Sequence, residues 1–218
     1  MLNISDIIGK FIKNTSQREL DKLKSTVHKV IFDRIEAGTY IIASALTDGN
    51  LKIKNIDPKI ISCEVSLLKK MGVKIITKKN YLTVKSAKNL KSAYIITKPY
   101  PGFPTDLQAQ MMVLMTKANG ISTIRENIFE NRFMHVPELR RMGANIQIKG
   151  NTAKIFGKNK LNGAELIATD LRASVSLVLA GLVASNMTVI NRIYHLDRGY
   201  EKIEKKLLNC GAQIKRLK

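Results

Sequence analysis

The sequence has few of the residues on which several classes of protein depend. Two cysteines among 218 residues form neither a disulfide framework nor a metal-ligand pattern, and their scarcity favours a reducing compartment, which we expect to be the cytoplasm. Aromatic residues make up 6% and tryptophan is absent, so no stacking platform for nucleic acid can be read from the chain. No apolar run is long enough to span a membrane, and the start lacks a secretory signal pattern. We therefore expect no nucleic-acid partner, no membrane partner and no bound metal.

Acidic residues are also scarce. There are 17 Asp and Glu against 37 Lys and Arg, which gives a formal net charge of +20. Such a balance favours anionic partners, for example phosphorylated small molecules. The lysines are scattered over many segments, so much of this charge can equally lie on a solvated surface. A chain of 218 residues makes one large domain or two small ones.

One pattern recurs three times along the chain. Each copy has an apolar helix, a turn, a strand, a second helix that ends at a glycine, and a further strand. The clearest markers are LLKKMGVKI, ELRRMGANI and KLLNCGAQI, whose glycines lie roughly 70 residues apart, at Gly72, Gly143 and Gly211. Units of this length bury their apolar faces against one another. The sequence therefore predicts one α/β domain with pseudo-threefold symmetry, in which helices pack against sheets.

Apolar periodicity and turn residues predict the individual elements. The predicted helices are 30–47 (with a turn at its start), 64–70, 106–117, 136–141, 170–184 and 200–208. The predicted strands are 51–56, 73–77, 81–85, 121–125, 144–148, 152–156, 188–192 and 212–215. In this register Cys210 aligns with Met71 and Met142, so we expect it to be a packing residue and not a nucleophile.

Two copies of Thr-Asp-Leu precede apolar helical runs, with Asp106 in the first and Asp170 in the second. A carboxylate at such a position can cap free backbone N–H groups, and its charge suits the positive end of a helix. On these two stretches alone, an N-cap is a commoner explanation than a catalytic carboxylate. Either role predicts that the two aspartates lie at or next to the N-terminal ends of equivalent helices.

Five longer motifs stand in a fixed order. They are DRIEAGTY (33–40), PYPGFPTDLQAQ (99–110), ENIFENRFMHVPELRRMGA (126–144), ATDLRASVSLVLAG (168–181) and RIYHLDRGYEKIEKKL (192–207). Together they closely resemble the C-terminal half of the UDP-N-acetylglucosamine 1-carboxyvinyltransferase family, the enolpyruvyl transferases of peptidoglycan synthesis. The match begins near residue 30 and continues to the end of the sequence.

The resemblance implies an inside-out α/β barrel domain of the enolpyruvyl transferase type, with three repeated units, helices inside and sheets outside. We expect this domain over 30–218, with units of about 30–93, 94–160 and 161–218, and a poorly matched remnant of a first domain over 1–29. The family active site lies between two such domains, and the other domain carries the general acid. The chain therefore looks like half of an enzyme, with one unit incomplete, and a separate N-terminal half is an expected partner.

The resemblance also implies a reaction that needs no cofactor. The 3′-hydroxyl of UDP-N-acetylglucosamine adds to C2 of phosphoenolpyruvate, and phosphate then leaves the tetrahedral intermediate. This is the first committed step of peptidoglycan synthesis, on which cell shape and division depend. An alcohol that adds to an alkene needs a base for its proton. The phosphate and carboxylate of phosphoenolpyruvate suit bidentate binding by arginine.

Six residues match functional positions of the family. Asp106 matches the aspartate that contacts the sugar hydroxyl and is the favoured base, and Asp170 matches an active-site carboxylate. Ile128 matches a position whose backbone contacts the UDP-sugar. The arginines that match positions facing phosphoenolpyruvate are Arg132, Arg172 and Arg198. We expect these arginines to converge on one face with Asp106.

Two hypotheses of different classes follow. The chain is either an enolpyruvyl transferase component that is active only with a separate half, or a non-catalytic remnant that binds anions through its basic surface. The histidines within the motifs, His135 and His195, are read as structural.

Overall fold

The computed structural model describes residues 33–85, 89–158 and 160–217, in which helices alternate with short strands. The helices are α1 (Arg34–Leu46), α2 (Ser62–Lys70), α3 (Gln108–Lys117), α4 (Val136–Arg141), α5 (Leu171–Gly181) and α6 (Ile203–Asn209). The strands are β1 (Asn50–Lys54), β2 (Lys74–Lys78), β3 (Tyr81–Lys85), β4 (Tyr94–Ile96), β5 (Ile121–Arg125), β6 (Asn145–Lys149), β7 (Thr152–Phe156), β8 (Glu165–Ile167) and β9 (Val189–Asn191). Two 3₁₀ segments, Thr105–Leu107 and Ile193–Arg198, complete the set. The predicted remnant over 1–29 lies outside the described residues.

The helices α1, α3 and α5 form the interior of the domain. Every residue of α3 from Gln108 to Thr116 is buried, and α1 and α5 both pack against it. A helix that is enclosed on all sides has no charged face, which explains the run of small and apolar residues in each of the three. Gly38 allows α1 to pack closely against Leu107, the residue before α3, since a Cβ at position 38 would clash with that side chain. None of the helices in the three described stretches is long and apolar enough to cross a membrane.

Three sheets cover these helices. The first has the order β1-β3-β2 and is antiparallel, and the second has the order β4-β5-β7-β6, in which only β4 and β5 are parallel. The third consists of β8 and β9, which are parallel. Alternate residues of the longer strands are buried, as expected for sheets with one face on a core and one in water. The predicted fold, with three repeated units, helices inside and sheets outside, is confirmed.

The three glycines that mark the repeat end the outer helices in the same way. Gly72, Gly143 and Gly211 follow α2, α4 and α6 and have φ values of 102°, 95° and 94°. In each case the N–H of the next residue donates to a carbonyl of the last helical turn, for example Ala144 N to Leu139 O at 3.0 Å. This is a Schellman-type cap, and its left-handed residue explains why glycine recurs there.

The structure differs from the predicted elements in two short strands that were not predicted and in one predicted strand that is absent. β4 and β8 have three residues each, too few to produce a period in the sequence. The predicted strand over 212–215 is wrong, because these residues are irregular. In the first two units the strand after the glycine pairs in a hairpin, β2 with β3 and β6 with β7. No described strand lies beside 212–217 to provide the hydrogen bonds that a strand needs.

The expectation that Cys210 packs like its aligned methionines is also wrong. Met71 and Met142 are fully buried, whereas Cys210 is exposed. The carbonyl groups of both methionines accept hydrogen bonds from the segment that follows their hairpin, with Lys91 N and Asn162 N as the donors. No described segment lies over Cys210 in the same way, so the repeat positions differ in burial.

We expect Gly143→Ala to lower the free energy of unfolding by about 1–2 kcal/mol, the cost of a left-handed alanine. A Cβ at Gly143 would meet only the Lys160 carbonyl at 3.6 Å, so the cost is conformational and not steric. Urea unfolding of the chain measures the change. Gly143→Asn is the matched control, since asparagine tolerates this conformation better. Equal losses for alanine and asparagine would contradict the explanation.

Candidate active site

The N-terminal ends of the three interior helices meet at one cavity. It has a volume of about 190 Å³, and its lining includes Asp33 before α1, Asp106 before α3, and Leu171 and Arg172 at the start of α5. Helix N-termini carry partial positive charge and free N–H groups. The helix starts therefore favour negatively charged groups at this end of the domain.

Two aspartates at these helix starts have capping roles. Asp33 Oδ1 accepts hydrogen bonds from the backbone N–H groups of Ile35 (2.7 Å) and Glu36 (3.2 Å). Asp170 Oδ1 accepts from the N–H groups of Arg172 (2.7 Å) and Ala173 (2.8 Å). Both carboxylates satisfy orphan donors of a first helical turn, which is the ordinary role of an N-cap.

Asp106 occupies the equivalent position in the second unit but does not cap. It lies in the 3₁₀ turn that precedes α3, and its Oδ1 accepts from Nε of Arg172 at 2.6 Å and contacts Nη2 of the same guanidinium at 2.5 Å. Nη1 of Arg132 is 3.7 Å from the same oxygen. The Asp106 side chain is 40% exposed, so it is open to solvent. The prediction that Asp106 and Asp170 lie at the starts of equivalent helices is confirmed, while their contacts differ.

The ring of Phe129 packs against the guanidinium of Arg132. Its guanidinium lies 4.1 Å from the ring centroid of Phe129, a cation–π distance, and its side chain is only 15% exposed. Burial lowers the pKa of Arg132, and the neighbouring charge of Arg172 lowers it further, whereas Asp106 opposes this. Two guanidinium groups thus lie beside the Asp106 carboxylate, and the charges of Glu126 and Asp170 also act on Arg132.

Arg198 lies at the border of this site. It ends the 3₁₀ segment 193–198 and is exposed, and the residues that follow it, Gly199 and Tyr200, line the cavity. It forms no ion pair within the described part of the chain. The structure therefore brings Arg132 and Arg172 to Asp106 and places Arg198 next to the cavity wall without a direct contact to the carboxylate.

The backbone at Ile128 is fixed by a neighbouring carboxylate. Its N–H donates to Oε1 of Glu126 at 2.9 Å, and its side chain is half-buried. Glu126 itself is buried and also accepts hydrogen bonds from Thr97 and Thr105. The sequence analysis missed Glu126, whose one sequence signal is an acidic residue directly after a predicted strand, inside a specific motif.

A buried polar cluster connects the three units behind the cavity. Tyr200 OH is 2.8 Å from Oγ1 of Thr39, and Nε2 of Gln110 donates to both oxygens, at 3.2 Å to Thr39 and 3.3 Å to Tyr200. The same nitrogen also lies 3.0 Å from the backbone carbonyl of Asp106, so its two hydrogens are shared among three acceptors. Burial raises the pKa of Tyr200 to about 12, so its hydroxyl stays protonated. Each repeat gives one residue to this cluster, which sequence patterns did not reveal.

The structural role of the two histidines within the motifs stays a prediction. His135 is buried at the start of α4, and burial lowers its pKa to about 4, so the ring is neutral. His195 packs against Tyr194, with ring centroids 4.2 Å apart. No group of three His, Cys, Asp or Glu within residues 33–85, 89–158 and 160–217 is arranged to hold a metal ion.

Comparison with known proteins identifies the family. The family model for EPSP synthase (3-phosphoshikimate 1-carboxyvinyltransferase) matches residues 10–207. The chain belongs to this family. Within it, the UDP-N-acetylglucosamine 1-carboxyvinyltransferase of Pelagibacter ubique (strain HTCC1062) is 60% identical over 100% of this chain and 53% of that protein. The protein of the same name from Geobacter metallireducens is 56% identical over 90% of this chain and 47% of that protein. The predicted resemblance is confirmed, and the chain spans about half the length of these curated relatives.

Solved structures agree with this family assignment. The enolpyruvyl transferase NikO from Streptomyces tendae superposes with a TM-score of 0.79 at 31% identity, covering 85% of this chain and 44% of that one. EPSP synthase from Acinetobacter baumannii gives a TM-score of 0.69 at 17% identity, covering 86% and 48%. At that identity the second likeness concerns the fold alone.

Tyr200→Phe should lower the free energy of unfolding by about 1 kcal/mol, because it removes a buried hydroxyl that bonds to two side chains. Chemical denaturation measures the loss. The matched control is Tyr194→Phe, which removes an exposed hydroxyl bonded to Arg192 and should change little. If both variants lose the same stability, the buried cluster does not join the units as described.

Asp106→Asn should increase the affinity of the chain for inorganic phosphate, by up to about tenfold. The carboxylate is bonded to Arg172, and a neutral amide competes less well with an arriving anion. Isothermal titration calorimetry at low salt measures the change. Asp33→Asn is the control, because it removes a charge from the same cavity while keeping a good N-cap, and Asp33 forms no ion pair with an arginine among the described residues. A weaker affinity in Asp106→Asn would show that the arginines do not form an anion site.

Proposed function

We propose that this chain forms one side of the active site for transfer of enolpyruvate from phosphoenolpyruvate to the 3′-hydroxyl of UDP-N-acetylglucosamine. The observation that carries the proposal is the solvent-open Asp106 carboxylate held between Arg172 and Arg132. It puts a base beside two cations, which is what the addition of an alcohol to an anionic alkene requires. The relatives that carry this activity in their names support the choice of substrates.

The chemistry follows from the charges. The phosphate and carboxylate of phosphoenolpyruvate are ligands for Arg132, Arg172 and Arg198, and binding them competes with Asp106 for the guanidinium of Arg172. Asp106 is then free to accept the proton of the sugar hydroxyl while the oxygen forms a bond to C2. C3 gains a proton from an acid that, by the resemblance, the other domain carries. Loss of phosphate from C2 and of a proton from C3 then gives the enol ether.

The remaining proposed site residues act through the backbone. Asp170 caps α5 and thereby fixes the first turn from which Arg172 extends. Ile128 is proposed to meet the UDP-sugar through its main chain. Because its N–H is already bonded to Glu126, the carbonyl is the group left for the ligand.

A separate chain is the proposed partner, and the reaction would occur in the cytoplasm as a step of peptidoglycan synthesis. In this family the site lies between two domains, and a cleft that excludes water and orients both substrates can lower the activation barrier by about 7–11 kcal/mol. Proton transfer from a positioned acid increases the rate by a further factor of roughly 10²–10⁴.

We therefore expect the purified chain alone to show no measurable phosphate release with both substrates present. Addition of a complementary N-terminal half should restore turnover. Asp106→Asn should abolish that restored turnover, since the amide cannot accept the proton. A coupled phosphate-release assay, with each substrate omitted in turn, measures both effects.

The controls distinguish the proposal from the alternative of a non-catalytic anion-binding protein. Asp33→Asn lies in the same cavity and keeps its cap, so the restored turnover should survive it. Steady phosphate release by the chain alone that depends on Asp106 would refute the need for a partner. Binding of phosphate without any turnover in the pair would favour the non-catalytic alternative.

A further inference from the structure

We propose that Glu126 is a positioning residue of this site. Its buried carboxylate holds the turn that carries Asp106 and the loop that carries Ile128 and Arg132 in one arrangement. The inference rests on the proposed function, since it assigns a role within the same site.

Glu126 collects four hydrogen bonds from three segments of the chain. It is 3% exposed and directly follows β5. Its Oε1 accepts from Thr97 Oγ1 (2.7 Å), Ile128 N (2.9 Å) and Phe129 N (3.2 Å), and its Oε2 accepts from Thr105 Oγ1 (2.9 Å). No lysine or arginine is bonded to it within the described part of the chain. A buried carboxylate is costly unless donors surround it, and here hydroxyls and amides satisfy both oxygens.

The donors are the parts of the fold that carry the site. Thr105 opens the 3₁₀ turn that contains Asp106, and Ile128 and Phe129 form the start of the loop that leads to Arg132. The Phe129 ring also supports the guanidinium of Arg132 at 4.1 Å. A shift of Glu126 would therefore change the distance between the base and one of its two arginines. Displacements of about 1 Å at such a site have large effects on function.

The negative charge of Glu126 by itself would weaken anion binding, whereas its positioning hydrogen bonds should strengthen it. The Glu126 carboxylate lies close enough to Arg132 to oppose the lowering of its pKa, so it weakens the attraction of this guanidinium for an anion. If Glu126 mattered only through its charge, its removal would tighten anion binding. If it positions the two segments, removal of its hydrogen bonds would weaken binding.

Two substitutions separate these effects. Glu126→Gln removes the charge but keeps an oxygen for the three donors at Oε1, and its amide group can donate to Thr105, whose hydroxyl also accepts. Glu126→Ala removes the charge and every hydrogen bond. Ser122→Ala is the matched structural control, because Ser122 is buried in β5, which Glu126 directly follows, and accepts a hydrogen bond from Ala93 N at 3.2 Å.

The experiment uses the 218-residue chain and three readouts. Calorimetric titration with phosphoenolpyruvate gives the affinity, NMR-detected hydrogen exchange reports the Ile128 and Phe129 amides, and thermal unfolding gives the stability. We expect Glu126→Ala to bind about tenfold more weakly and to exchange both amides faster. Glu126→Gln should bind within about twofold of the unsubstituted chain, or more tightly, with slow exchange retained. Ser122→Ala should lose stability alone.

Each other result decides the matter. Tighter binding by both Glu126 variants would assign the residue an electrostatic role and overturn the proposal. Lower stability in Glu126→Ala with unchanged affinity would reduce Glu126 to a scaffold residue and also overturn it. If the unsubstituted chain does not bind phosphoenolpyruvate, the proposed function fails. The amide exchange then tests the positioning role independently. That role is refuted if Glu126→Ala leaves both amides protected.

Discussion

The domain depends on a helix that has no side facing water. Because α3 is enclosed, its neighbours α1 and α5 must lie against it and the sheets must close around all three. The polar groups that such a helix retains must then find partners inside the core. The amide nitrogen of Gln110 does so by bonding to Thr39 and Tyr200 and to the carbonyl of Asp106. The carbonyl oxygen of Gln110 and the amide nitrogen of Gln108 are buried without a hydrogen-bond partner among the described residues. The hydrogen bonds of the Gln110 amide nitrogen therefore join the interior helices and fix the backbone at the proposed base.

The same arrangement creates the electrostatics of the site. Three helix starts at one end of the domain concentrate positive partial charge there, and the aspartates before α1 and α5 offset it by capping. At the start of α3, the Asp106 carboxylate instead contacts the guanidinium groups of Arg172 and Arg132. The overall charge of +20 is therefore less informative than this local arrangement, because most lysines of the described residues lie on the sheet surfaces and helix ends.

Sequence patterns revealed the features that repeat and missed those that do not. The glycine stops were predictable because a left-handed cap imposes one residue type at three places. The convergence of Arg132 and Arg172 on Asp106 was expected from motifs, not from spacing, since these residues are far apart in the chain. The region after Gly211 was misjudged because a strand depends on a partner, which no local pattern contains. Glu126 was missed because its importance comes from donors on separate segments.

At the start of α3, the side chain proposed for the chemistry, Asp106, has no part in capping the helix. At Asp33 and Asp170 a substitution would leave backbone donors unsatisfied, so those positions are tied to stability. At Asp106 the 3₁₀ turn begins the helix without a side-chain cap, and the carboxylate bonds instead to Arg172 at the start of α5. Asp106 thus corresponds to two capping aspartates in the repeat, but its side chain is free of the capping role and available for the proposed chemistry.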